Sequence, residues 1–167
     1  MEQAEQTIRA GVLTVSDKGS QGLRVDESGR LVAQLLEKKG YTVLRQDIVP
    51  DEGEEIAQTL KNWVDDEHLA LIVTSGGTGL TPRDVTPQAT RKVIDYEVPG
   101  MAEAMRAASL KKTPHAMLSR AVVGVRKRSL IINLPGSPRG AGENLETILP
   151  ALDHALAKLA GDPSDCA

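Results

Sequence analysis

Apolar residues in this chain form short runs that are bounded by polar, glycine-rich segments. Two of these runs, at 7–16 and 69–74, are nearly continuous, and a third, more polar run covers 41–49. Continuous apolar runs of this length are typical of strands buried on both faces of a parallel sheet. Two further runs, at 121–125 and 129–134, are separated by three charged residues, too few for a crossover helix. These two runs therefore predict an antiparallel hairpin.

The segments between the predicted strands have the spacing of amphipathic helices. Asp51 with Glu54 has the spacing of a capping box, and Thr86 before Pro87 is typical of a helix start. In the last helix, Pro150 should cause a bend or a break. We expect helices over residues 29–39, 52–67, 87–95, 101–110 and 141–160, and a short helical turn over 115–120.

Strands that alternate with helices predict an α/β fold. We expect a three-layer sandwich with a mostly parallel central sheet and a short antiparallel edge hairpin. A chain of 167 residues is long enough for one domain with a substantial core and short for two. We therefore expect a single domain over 1–167, with mobile tails at 1–6 and 161–167.

The stretch after the apolar run at 69–74 has the residue types of a phosphate-binding loop. Residues 75–79 read Ser-Gly-Gly-Thr-Gly, and the acidic Asp84 follows. Glycines let the backbone expose its N–H groups, which bind anions together with a helix N-terminus. A Walker A loop is excluded because no Lys-Ser or Lys-Thr follows, and a dinucleotide fingerprint because Pro82 occupies the third glycine position. The alternative interpretation is a plain glycine turn between a strand and a helix.

Three predicted strands end in small and polar residues that we expect to meet at one edge of the sheet. These ends cover residues 16–17, 75–84 and 133–137, and Asp51 begins a helix at the same edge. Ligands of open α/β sheets bind beyond the carboxyl ends of the strands. Because Mg²⁺ is often held by one or two carboxylates plus substrate phosphates, Asp51 and Asp84 are the candidate metal ligands. Helix capping explains Asp51 equally well, and the two roles are compatible.

Composition excludes several classes of function. The 20 basic and 23 acidic residues give a net charge of −3, without the basic excess of a nucleic-acid-binding surface. The single cysteine, Cys166, allows no internal disulfide and no cysteine-based metal site, which suits the reducing cytoplasm. No apolar run approaches the roughly 20 residues of a membrane helix. We therefore expect a cytoplasmic protein without nucleic-acid or membrane partners.

Six motifs together resemble the MogA/MoaB family. They are LTVSD at 13–17, VPDE at 49–52, SGGTGLTPRDVTPQA at 75–89, VPGMAEAM at 98–105, MLSRAVVGVR at 117–126 and INLPGSP at 132–138. The family comprises molybdopterin adenylyltransferases of molybdenum cofactor synthesis and is related to the G domain of gephyrin. The resemblance covers residues 7–160, and the glycine-rich block combined with LPGSP is its most specific part.

The resemblance implies that the chain transfers AMP from MgATP to the terminal phosphate of molybdopterin and releases pyrophosphate. In such an enzyme Asp51 and Asp84 would be catalytic and would hold Mg²⁺. The resemblance also implies a homotrimer and a hand-over of product to a molybdenum-insertion enzyme. Ser119 and Arg120 would contact molybdopterin. The complete set of residues that would bind the two substrates is Ser16, Asp17, Ser75, Gly76, Gly77, Thr78, Gly79, Ser119, Arg120, Asn133, Pro135, Gly136 and Ser137.

Two other functions are compatible with the same motifs. One is a trimeric module that binds molybdopterin without catalysis; the presence of both Asp51 and Asp84 favours the enzyme instead. The other is a hydrolase on the same fold, such as the related CinA-type domain. The pairing of PRDVTP with NLPGSP, without an extra domain, argues against that hydrolase.

Overall fold

The computed structural model describes residues 7–166, so the predicted tail at 1–6 lies outside the described residues, as does residue 167. Helices flank a central sheet. The strands are β1 (Arg9–Val15), β2 (Thr42–Val49), β3 (Leu71–Ser75), β4 (Tyr96–Glu97), β5 (Val123–Arg126) and β6 (Ser129–Leu134). The helices are α1 (Asp17–Ser20), α2 (Glu27–Lys39), α3 (Gly53–Asp65), α4 (Thr86–Val93), α5 (Pro99–Leu110) and α6 (Pro138–Leu159), and a 3₁₀ turn covers Pro114–Leu118.

The sheet has the strand order β2-β1-β3-β6-β5-β4. Neighbours among β2, β1, β3 and β6 are parallel, whereas β5 runs antiparallel to both β6 and β4. This topology confirms the α/β class, the mostly parallel sheet and the antiparallel hairpin. β4 has no signal in the sequence, because two residues are too few to show a period of two.

The central strands send successive side chains to opposite sides of the sheet, which creates two apolar layers. On one side, β1, β3 and β6 pack against α2, α5 and α6. On the other side, the same strands pack against α3 and α4. The predicted three-layer sandwich is therefore confirmed. The strand residues of the first layer include Val12, Val73 and Ile132, and those of the second include Leu13, Ile72 and Ile131.

Two predicted helix caps are wrong. Glu52 occupies the cap position of α3 and makes no capping bond, while the Asp51 carboxylate accepts a hydrogen bond from the Asp17 N–H at 2.9 Å. α4 begins at Thr86, so this residue is not the cap, and its hydroxyl donates to the Gly76 carbonyl at 2.9 Å. Both polar side chains therefore join neighbouring loops at the sheet edge.

The last helix is continuous through Pro150, so the predicted break is absent. α6 begins at Pro138, and the Ser137 hydroxyl caps it by accepting from the Gly140 N–H at 3.0 Å. Proline removes the N–H that would bind the Glu146 carbonyl, but both positions are exposed and water can replace it. No helix within residues 7–166, α6 included, is long and apolar enough to cross a membrane.

The charged turn between β5 and β6 ties the sheet to α3. Arg126 donates to the Asp65 carboxylate from Nη2 at 2.7 Å and from Nε at 3.1 Å. The Lys127 ammonium lies 2.9 Å from the same carboxylate. These contacts, with the Arg126 hydrogen bonds first, lower the pKa of Asp65 to about 2. At least Arg126 is therefore a structural residue rather than a solvated one.

Candidate active site

The carboxyl edge of the sheet forms an open cavity of about 800 Å³. The loops after β1, β3 and β6 converge there, as predicted from the positions of the strand ends, and the start of α3 lies beside them. The segment that precedes α2 closes the far end of the cavity. The predicted residues that line this cavity are Ser16, Asp51, Ser75, Gly76, Gly77, Asp84, Gly136 and Ser137.

The loop after β3 is held in a left-handed turn by Gly76 and Gly77, whose φ angles are +102° and +68°. A Cβ on Gly76 would overlap the Val15 carbonyl, and one on Gly77 would overlap the Thr86 hydroxyl. The Gly77 carbonyl accepts from the Thr86 N–H at 3.1 Å. Only glycine fits both positions without strain, because L-residues rarely adopt positive φ and no space exists for a side chain.

Three successive N–H groups of this loop are free to bind a ligand. Those of Gly77, Thr78 and Gly79 donate to no atom among residues 7–166, whereas the Gly76 N–H donates to the Leu134 carbonyl at 3.0 Å. Consecutive N–H groups in such a turn form a concave anion site. The geometry therefore supports a phosphate cradle at Gly77, Thr78 and Gly79, and assigns the N–H of Gly76 to the fold.

Asp51 and Asp84 border the same loop. A Cβ built on Gly77 would lie 3.3 Å from Asp51 Oδ1, and one on Gly79 would lie 2.9 Å from Asp84 Oδ2. Each carboxylate uses Oδ2 to accept one backbone N–H, from Asp17 and Thr81 respectively. Within the described part of the chain, Oδ1 of each carboxylate accepts no hydrogen bond. Each side chain can thus offer one oxygen to a cation.

The electrostatics of Asp51 also fit a cation. Burial raises the pKa of Asp51, the Asp17 N–H hydrogen bond opposes this shift, and the charges of Asp17 and Asp84 raise the pKa further. A positive ion near these carboxylates would reverse the penalty. No group of three or more metal-binding side chains occurs within residues 7–166. Two carboxylates completed by substrate phosphate and water are nevertheless a typical magnesium arrangement.

Asp17 lies at this edge, but its carboxylate is not among the groups that line the cavity. Arg83 donates to both of its oxygens, from Nε at 3.1 Å and from Nη2 at 3.0 Å, and also to Glu52 at 2.8 Å. These hydrogen bonds lower the pKa of Asp17. Neither Arg83 nor Glu52 was a predicted site residue, although both lie inside the quoted motifs.

A second cavity of about 320 Å³ lies on the other side of the glycine loop. Thr78 and Gly79 separate the two cavities, and Ser137 lines both. Arg106 and Lys112 supply positive charge to this smaller cavity. The predicted residues along its wall are Thr78, Gly79, Ser119, Pro135 and Ser137.

Arg120 and Asn133 have structural contacts rather than positions on a cavity wall. The Arg120 guanidinium donates to the carbonyls of Gly79 at 2.8 Å and Asp84 at 2.7 Å, which fixes the loop that carries Asp84. Asn133 is fully buried, and its amide nitrogen donates to the hydroxyls of Thr74 and Thr90. The structure thus places these two predicted ligand contacts inside the scaffold.

The far end of the larger cavity contains polar residues that the motifs did not single out. Asp26 caps α2 by accepting from the Gly29 N–H at 2.9 Å and also accepts from the Thr14 hydroxyl at 2.8 Å. Ser75 Oγ lies 3.0 Å from both the Ser28 hydroxyl and the Pro135 carbonyl. The available signal was the long polar segment after β1, because long loops at strand ends often carry function.

Comparisons with known proteins agree with this geometry. The family described as "Probable molybdopterin binding domain" matches residues 11–154. A molybdopterin adenylyltransferase of Helicobacter pylori (strain J99) is 42% identical over 159 residues, which cover 94% of this chain and 90% of that protein. Gephyrin of Dictyostelium discoideum is 41% identical over 165 residues, which cover 92% of this chain. The chain spans about a quarter of gephyrin, 23% of its length.

Solved structures give the same result. The structure of the molybdopterin biosynthesis enzyme MoaB from Thermus thermophilus has a TM-score of 0.89 and 52% sequence identity. The match covers 95% of this chain and all of that one. Together with the family match over most of the chain, these findings confirm the resemblance read from the six motifs. The chain belongs to the MogA/MoaB family of molybdopterin-binding proteins.

Proposed function

We propose that this protein binds molybdopterin and ATP and transfers AMP to the terminal phosphate of molybdopterin. The observation that carries the proposal is the arrangement at the glycine loop. Three free N–H groups lie beside two carboxylates, each with an unengaged oxygen, and a cavity lies on either side. The name of the Helicobacter pylori relative, which is 42% identical, supports the same activity.

The larger cavity suits MgATP and the smaller one suits molybdopterin. Both candidate magnesium ligands, Asp51 and Asp84, line the larger cavity, whose volume is ample for a nucleotide. The smaller cavity offers the cations of Arg106 and Lys112 to an anionic substrate. The glycine loop between the cavities would then hold the phosphate groups that react.

The reaction requires no side-chain nucleophile. An oxygen of the molybdopterin phosphate attacks the α-phosphorus of ATP, the bond from that phosphorus to the β-phosphate oxygen breaks, and pyrophosphate leaves. A phosphate monoester has a second pKa near 6, so this nucleophile is ionised at neutral pH without a general base. The N–H groups of residues 77–79 bind phosphoryl oxygens, and Asp51 and Asp84 would hold Mg²⁺, which neutralises phosphoryl charge. Catalysis then rests on positioning and charge neutralisation.

Product analysis tests this proposal. Purified protein is incubated with ATP, Mg²⁺ and molybdopterin, and the products are identified by mass. We expect adenylylated molybdopterin and pyrophosphate in equal amounts. The control is a double variant, Asp51→Asn with Asp84→Asn, which keeps side-chain shape and removes both negative charges. Equal product from the wild type and this variant would contradict the proposal.

The second candidate function is molybdopterin binding without transfer. The 52% identity to a MoaB structure, higher than the 42% to the adenylyltransferase, favours this alternative. A protein of this kind would bind molybdopterin and release no pyrophosphate under the same conditions. Calorimetric binding of molybdopterin beside a pyrophosphate assay separates the two functions.

We also propose a homotrimer. Apolar side chains at the rim of the smaller cavity support it: Met117 is 65% exposed and Leu118 is 48% exposed. A repeated heterologous contact would cover such residues and close into a ring. Light scattering coupled to size exclusion should give the mass of three chains at micromolar concentration. A single species at monomer mass would refute the trimer and leave the catalytic proposal intact.

A further inference from the structure

Asp17 connects three loops of the active site. Its N–H donates to Asp51 Oδ2 at 2.9 Å, and its own Oδ1 accepts from the Asp51 N–H at 2.9 Å. Arg83 grips the same carboxylate through two N–H groups, at 3.1 and 3.0 Å. Asp17 follows β1, Asp51 follows β2 and Arg83 follows β3. A single side chain therefore joins the ends of three parallel strands.

These contacts relate the two candidate metal ligands to each other. Asp17 holds Asp51 by a reciprocal pair of hydrogen bonds, and Arg83 immediately precedes Asp84. The path from one ligand to the other is thus Asp51, Asp17, Arg83 and Asp84. Two carboxylates of like charge repel each other, and a loop that carries one of them would move away unless it were tied.

We propose that Asp17 and Arg83 are positioning residues that hold Asp51 and Asp84 at the separation a divalent cation requires. This inference rests on the proposed function, because it assumes that those two carboxylates hold the cation. Arg83 is suited to the task because its planar guanidinium fixes both the distance and the orientation of a carboxylate. A lysine would supply charge to Asp17 but only one point of contact.

Two simpler roles explain the arrangement less well. As a metal ligand, Asp17 would need a free oxygen, but Oδ1 and Oδ2 both accept from Arg83 within the described structure. As a stabilising ion pair, the contact would contribute little, because the side chains of Arg83 and Asp17 are 54% and 36% exposed. Neither role explains why Asp17 also exchanges two hydrogen bonds with Asp51.

The test measures Mn²⁺ binding by electron paramagnetic resonance, with a non-hydrolysable ATP analogue present. The variants are Asp17→Asn, Arg83→Met, Arg83→Lys and the double variant Asp17→Asn with Arg83→Met. Arg91→Met is the matched control, because Arg91 makes a similarly exposed ion pair with Glu97, at 2.8 Å, away from the cavity. Thermal unfolding of each variant reports the change in stability separately.

We expect Arg83→Met to weaken Mn²⁺ binding by about tenfold or more, the usual effect of losing a group that orients a metal ligand. Arg83→Lys should recover part of the loss, and the double variant should be no weaker than Arg83→Met, because both changes break one connection. The kcat of AMP transfer should fall more than the KM for ATP rises. Melting temperatures should change by less than about 4 °C, as for an exposed ion pair. Arg91→Met should match the wild type in every assay.

The outcomes separate the inference from the function on which it rests. If the wild type transfers AMP and the Arg83 and Asp17 variants bind Mn²⁺ with wild-type affinity, the positioning role is refuted. If Mn²⁺ affinity falls as expected while the wild type makes no product, the positioning role stands and the transferase proposal fails. A wild type that binds no Mn²⁺ at Asp51 and Asp84 refutes the inference outright.

Discussion

Replacing Gly77 by alanine tests the glycine loop where it contacts both the scaffold and the ligand site. Gly77 has a φ of +68°, and a Cβ there would overlap the hydroxyl of Thr86. The Thr86 side chain is fully buried and donates to the Gly76 carbonyl at 2.9 Å. The substitution therefore strains the backbone and displaces a buried hydrogen bond at once.

The expected loss of stability is the sum of these two effects. A non-glycine residue in the left-handed region costs about 1 kcal/mol. A buried polar group left without its partner costs about 1 to 3 kcal/mol more. Gly77→Ala should thus reduce the free energy of unfolding by roughly 2 to 4 kcal/mol. Gly22→Ala is the matched control, because Gly22 has a φ of +72° and open space around it, so only the backbone cost of about 1 kcal/mol applies.

Urea unfolding at a fixed protein concentration measures both variants. The fluorescence of Trp63, which is the only tryptophan and is 2% exposed, reports the transition. Calorimetry of ATP binding reports the second effect, since a methyl group beside the N–H groups of residues 77–79 should reduce ATP affinity at least about tenfold. Equal stability losses in the two variants, or unchanged ATP affinity in Gly77→Ala, would refute the account of this loop.

Three further predictions concern single charged residues. Asp84→Asn should lower the turnover of AMP transfer by about 100-fold or more, with a smaller effect on ATP binding; near wild-type turnover would remove Asp84 from the mechanism. Asp51→Asn should abolish turnover yet raise the melting temperature of the metal-free protein at pH 7, because burial raises the Asp51 pKa and ionisation therefore opposes folding. This gain should shrink as the pH falls toward about 4, where aspartate is protonated in the unfolded chain as well; a lower melting temperature at pH 7 would contradict the sign. Arg126→Met should cost about 1 to 2 kcal/mol at pH 7, after allowance for solvent screening. Because the folded pKa of Asp65 is about 2, that cost should decline from about pH 4 toward pH 2; a cost that does not vary with pH would show that the ion pair is unimportant.

The sequence predicts the layers of this fold well, because buried central strands must be apolar on both faces. β1, β3 and β6 were recognisable from that property alone, and the three-residue turn at 126–128 excluded a crossover. The caps at Asp51 and Thr86 were mispredicted for a common reason. Local spacing suggested a bond within the residue's own helix, whereas the tertiary structure offered each side chain a partner on another loop.

The site shows the same division between local and distant information. The edge that carries Asp51 and Asp84 follows from parallel strands whose carboxyl ends must meet. The Asp17–Arg83 pair joins residues 66 positions apart, and no local pattern indicates such a contact. Asn133 was placed on the wall of the site because it lies near the end of β6. It still belongs to the strand, and its side chain points into the layer between the sheet and α4.

The fate of the α-phosphorus of ATP tests the central claim most directly. ATP labelled with heavy oxygen at the α-phosphoryl group is incubated with Mg²⁺, molybdopterin and protein, and the label is located by mass spectrometry. Transfer of AMP predicts that the label appears in molybdopterin-bound AMP, that pyrophosphate is unlabelled at its non-bridging oxygens, and that the Asp51→Asn, Asp84→Asn double variant gives no such product. Label found only in free AMP or in unreacted ATP, with molybdopterin bound but unchanged, would contradict the account.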